Sequence, residues 1–80
     1  MNNQIQTYLC LREAGGGFEL QPSTRDAMDQ ARSGDGQTWF FITARPLEEF
    51  AFLDSFGHFR DIRAAYGAMI MVDPSIEGPM

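Results

Sequence analysis

Asp54, His58 and Asp61 stand at i, i+4 and i+7, so an uninterrupted helix would bring two carboxylates and an imidazole to one side. Those groups could ligate a divalent metal or, without one, act as an acid/base pair. Gly57 falls inside the segment and works against the continuous helix that this geometry requires. The plainer reading is a solvated polar edge with His58 near a helix C-terminus. It leaves a small metal-dependent enzyme as the third-ranked hypothesis, and the expectation is no metal, no cofactor and no catalytic residue. Cys10 is the chain's single cysteine, which argues against an internal disulfide and a four-ligand zinc site. It has no CxxC partner and no helix N-terminus to lower its pKa, so it reads as a small half-buried strand residue rather than a nucleophile.

Two further motifs invite chemistry and fail on context. Gly15, Gly16 and Gly17 would let backbone amides approach a phosphate, but a phosphate loop is followed by a helix carrying Lys and Ser/Thr. Here Phe18 and Leu20 follow in strand spacing, so a hairpin turn accounts for the glycines better. Trp39 and the adjacent phenylalanines could stack bases, yet stacking platforms line a basic groove. The chain has six arginines, no lysine and eleven carboxylates, for a net charge of −5. That is a poor footprint for a phosphate backbone, and no direct nucleic-acid binding is expected.

The acidic surplus is uneven. Residues 1–33 hold four acids and three bases, whereas residues 34–80 hold seven acids and three bases, or −1 against −4. A carboxylate patch on the second half would attract a basic partner surface and raise its on-rate, although the plainer reading is a face that only keeps the chain soluble. The candidate contacts are Glu48, Glu49, Asp54 and Asp61, with Asp26 and Asp29 behind them.

The elements that must position these groups follow from periodicity. Residues 4–12 alternate with a period of two, which suits a half-buried strand, and a five-residue connection at 13–17 leads to a second strand at Phe18 and Leu20. Ser23 stands three residues before Asp26 in capping-box spacing and opens a short helix with Ala27, Met28 and Ala31 on its apolar stripe. Trp39, Phe40, Phe41 and Ile42 are consecutive, predicting a central strand buried on both faces. Pro46, Glu48 and Glu49 suit the first turn of a second helix. Phe59, Ile62 and Tyr66 predict a third short helix ending at Gly67, with a strand through Ile62 as its competitor, and residues 68–73 read as a last strand. The fold class is therefore α+β: a small antiparallel or mixed four-stranded sheet with two to three helices on one face.

Eighty residues leave room for one domain, placed at 1–73, with 74–80 expected as a flexible C-terminal tail. No apolar run approaches the roughly 18 residues of a spanning helix, and residues 1–4 lack the features of a signal peptide, so the expectation is a soluble intracellular protein without membrane contact. On the last strand Met69 and Met71 would share a side: with both faces covered they are core, the favoured reading, and at a sheet edge they would form a flexible apolar contact surface.

A length of 80 residues, an acidic balance, a compact α+β pattern and no catalytic motif surround two central stretches, Trp39-Phe40-Phe41 and Arg45-Pro46-Leu47-Glu48-Glu49-Phe50. In these respects the whole chain resembles the small anti-CRISPR proteins of phages and mobile elements that inhibit type I Cascade complexes. Members of that group share no motif, so the resemblance transfers no residue. It implies a non-enzymatic, stoichiometric inhibitor in the cytoplasm of a bacterial host. Such an inhibitor binds a Cas subunit and keeps target DNA out of a basic channel, by occlusion with an acidic surface. The alternative is a structural or regulatory module, an antitoxin-like partner or accessory subunit, binding through the Met-rich edge. Either protein would be a monomer or a weak homodimer.

Overall fold

A computed structural model describes residues 6–31, 38–50 and 58–79 of the chain. The elements run β1 (Thr7–Ala14), β2 (Gly17–Ser23), α1 (Arg25–Ala31), β3 (Thr38–Thr43), a 3-10 helix (Leu47–Phe50), β4 (His58–Phe59) and α2 (Ile62–Val72). The strands form one antiparallel sheet in the order β3-β1-β2-β4, so the α+β class holds. No helix among the described residues is long and apolar enough to cross a membrane.

Gly15 and Gly16 adopt φ of 58° and 82°, and Ala14 pairs with Gly17. Two consecutive positive-φ residues make a tight turn whose twist matches that of the strands it joins, so the connection is two residues rather than five. The pleat then sorts the side chains. Leu9 and Leu11 of β1 share a face with Leu20 and Phe41, and this face builds the main core with Phe50, Ala65, Met69 and Ile76. Cys10 and Phe40 point the other way and meet Met28 of α1, with Tyr8, Ala31 and Ile42 around them. The helices are consequently divided between the two faces of the sheet, α1 on one and α2 on the other, instead of sharing one. The two-residue alternation of side chains along β1 supplies an apolar surface on each side, and each needs a cover.

β3 is an edge strand, not the central one. Its four consecutive apolar residues report layers above and below the strand, and say nothing of neighbours to its sides. Phe41 is fully buried in the main core and Phe40 nearly so in the smaller one. The central strands are β1 and β2, and β1 is buried on both faces at Leu9, Cys10 and Leu11.

Helix α1 is capped by Thr24, whose hydroxyl oxygen accepts from the Ala27 amide at 3.1 Å, while Ser23 is the last residue of β2. Leu47–Phe50, after Pro46, form a 3-10 turn anchored by fully buried Phe50, and the continuation of the expected second helix lies outside the described residues. The largest departure from the sequence reading lies in α2. The expected helix end at Gly67 and the expected strand at 68–73 are one continuous helix. Met-Ile-Met-Val fits either period, and what decides is that Ala65 and Met69, one turn apart, both seal the main core. One glycine costs a helix about 1 kcal/mol, which the N-cap from Asp61 and this burial offset. The fourth strand is instead the short β4, paired through Phe18–Phe59 and Glu19–His58.

The C-terminal residues are docked rather than loose. Ile76 enters the main core, and Glu77 exchanges both backbone hydrogen bonds with Ile42 at 2.9 Å each.

Candidate functional site

The Asp54/His58/Asp61 constellation does not assemble as a helical face. His58 lies in β4, where its Nε2 is 2.7 Å from the Ala14 carbonyl oxygen and clamps the end of the β1–β2 hairpin. A Cβ on Gly17 would come within 2.6 Å of the His58 ring and 2.7 Å of the Phe59 carbonyl, so the glycine is what lets β4 approach. Asp61 is the N-cap of α2, its Oδ1 accepting from the Ala64 amide at 2.8 Å. Asp54 lies outside the described residues. Among the described residues no three His, Cys, Asp or Glu side chains converge as a metal would require.

Cys10 is buried beside Phe40 and Met28. Burial pushes its thiol up, with Arg12 and a hydrogen bond from Ser23 only partly opposing this, so the thiolate that nucleophilic chemistry needs is disfavoured.

The acidic candidates divide between two surfaces. Asp26 and Asp29 are exposed on α1, where Arg25 lies 3.9 Å from Asp29. Glu48 and Glu49 belong to the 3-10 helix, on the opposite face of the sheet and beside α2. Glu49 is engaged: Arg45 approaches its Oε1 with Nε at 2.7 Å and Nη2 at 2.6 Å. Glu48 is exposed, with no hydrogen bond or ion pair among the described residues. A single acidic patch made of all these residues is therefore not what the fold presents.

Met69 and Met71 also part company. As helical neighbours two residues apart they face about 200° from each other, so Met69 is fully buried while Met71 is 83% exposed. Met71 is the one large apolar side chain so exposed among the described residues, and it stands on the outer line of α2 with Ala64 and Gly67. A Cβ on Gly67 would meet nothing within 4 Å, so this line is open and of low relief. In place of a Met-rich strand edge, Met71 alone of the two stands on an exposed helical surface, which also carries Arg63.

The sequence reading missed the buried pair Thr43–Asp73. Thr43 donates its hydroxyl hydrogen to Asp73 Oδ2 at 2.6 Å and accepts from the Arg45 amide at 3.0 Å, while Asp73 Oδ1 accepts from the Ser75 amide at 2.9 Å. The Thr43 hydrogen bond, then that from Ser75, hold the Asp73 carboxyl below the ordinary carboxylate range; burial opposes them and Arg45 adds to them. An open recess of about 170 Å³ lies beside the pair, lined by Gln6, Thr43, Asp73, Ser75 and Glu77 among others. Asp73-Pro74-Ser75 is a turn signal, but assigning Asp73 to the end of a strand concealed its role as a helix-terminal tie.

No protein-family model, curated protein or solved structure matches this chain. Its surface alone must carry the functional argument.

Proposed function

We propose that this chain is a non-enzymatic protein-binding inhibitor of the anti-CRISPR kind that it resembles. It occludes the DNA path of a type I Cascade subunit with the layer formed by α2 and the 3-10 helix. The observation that carries the reading is Met71, 83% exposed on the outer line of α2, in the same layer as Glu48, which is exposed and has no partner among the described residues. A flexible apolar anchor on an exposed helix, in one layer with a carboxylate, suits a basic protein surface whose ordinary ligand is a phosphate backbone. The net charge of −5 adds steering. It is modest beside the one charge per about 1.7 Å that duplex DNA carries, which favours occlusion over charge mimicry.

Sedimentation of the purified chain with purified type I Cascade tests the binding step. Co-sedimentation at a fixed stoichiometry is expected, with association slowed by added salt; two independent boundaries at every concentration would reject the proposal. The alternative, a regulatory or accessory module, uses the same Met71 surface on a different protein and would bind in the absence of any Cascade component.

A further inference from the structure

Strand β3 reads Thr-Trp-Phe-Phe-Ile-Thr: every residue is β-branched or aromatic and none is charged. Such a strand at a sheet edge is a template for pairing with another chain, and β3 is an edge. Ile42 turns its N–H and C=O outward, and both are taken by Glu77 at 2.9 Å. The two-residue period of an antiparallel ladder turns the N–H and C=O of Phe40 to the same outer side. There the chain passes so closely at Gly78 that a Cβ would lie 2.7 Å from the Phe40 carbonyl oxygen, and Gly78 has a φ of 133° that disfavours other residues. The start of this segment is tied down: the Asp73 carbonyl accepts from the Ile76 amide at 3.1 Å, its carboxylate accepts from Ser75, and Ile76 is buried.

We propose that residues 75–78 are an edge guard, holding the outer side of β3 against the partner that this edge fits, the β3 strand of a second copy of the chain. Two copies would meet there without like-charge repulsion, aromatic and β-branched residues facing one another across the new ladder. Glu77→Pro removes the amide that bonds Ile42 and leaves Ile76 in place. By sedimentation velocity the wild type is expected to have the mass of one chain at all concentrations, and folded Glu77→Pro a mass that doubles as concentration rises. Adding Thr38→Glu, a charge on the edge strand, is expected to return it to one chain. Gly78→Val, whose side chain must push the segment off Phe40, carries the same expectation. A folded variant that stays a single chain would overturn the proposal. So would a wild type that pairs through β3, or an Ile42 amide that exchanges with solvent as freely as a loop amide.

Discussion

The hydroxyl of Thr43 and the carboxylate of Asp73, thirty residues apart in sequence, meet at 2.6 Å in the interior. The contact fastens the C-terminus of α2 to the end of β3, and the Ser75 and Ile76 amides complete the tie. Thr43→Val keeps the shape but leaves a buried carboxylate short of its nearest donor. The expected cost is about 1.5–3 kcal/mol, read as a lowered urea midpoint with an unchanged slope.

The same contact sets an acid limb. Because the folded state holds the Asp73 carboxyl below its ordinary value, the unfolded chain binds the proton more readily. The resulting stabilisation is fully present above the unfolded pKa of about 3.9 and is lost as pH falls through the folded value. Urea midpoints of wild type and Thr43→Val are therefore expected to differ most above about pH 4 and to converge below it. A gap that stays constant to pH 2 would remove Asp73 from the account.

Phe41 is fully buried and its ring lies 5.9 Å from that of Tyr66, joining β3 to α2. Phe41→Ala is expected to cost about 3–5 kcal/mol, most of the stability of a chain this small. Thermal unfolding measures it, and a shift of a few degrees or less would place β3 outside the core.

Two glycines separate packing from propensity. Gly17→Ala puts a methyl against the His58 ring and the Phe59 carbonyl, and is expected to destabilise the chain and release β4. Gly67→Ala meets nothing within 4 Å and relieves the cost of a helical glycine, so a gain of about 0.5–1 kcal/mol is expected. Chemical denaturation of both variants checks the opposite signs.

The sequence carried the parts of the fold that local chemistry dictates. Alternation placed Leu9 and Leu11 on one face and Cys10 on the other, and the glycine run marked the hairpin. Burial of Phe40 and Phe41 on two faces was legible, but sheet order was not, because lateral neighbours leave no trace in a strand's own pattern. Gly67 invites a break within residues 62–72 because their apolar residues fit both periods; only the packing of Ala65 and Met69 resolves them. A strand there puts Met69 and Met71 on one side, whereas the helix sends Met69 into the core and Met71 to solvent. The Thr43–Asp73 contact depends on bringing distant segments together, which no local spacing encodes.

The proposed role in masking DNA is tested most directly by competition. Fluorescent target DNA bound to purified type I Cascade is titrated with wild type, Met71→Asp or Glu48→Lys at one salt concentration. Both sites are exposed, so both variants should remain folded, as circular dichroism verifies. Wild type is expected to displace the DNA, and Met71→Asp to need at least about tenfold more protein, equivalent to about 1.4 kcal/mol of binding energy. Glu48→Lys is expected to act in the same direction, chiefly through slower association. Displacement by folded Met71→Asp at wild-type concentrations, or a wild type that leaves the DNA in place at saturation, would contradict the account.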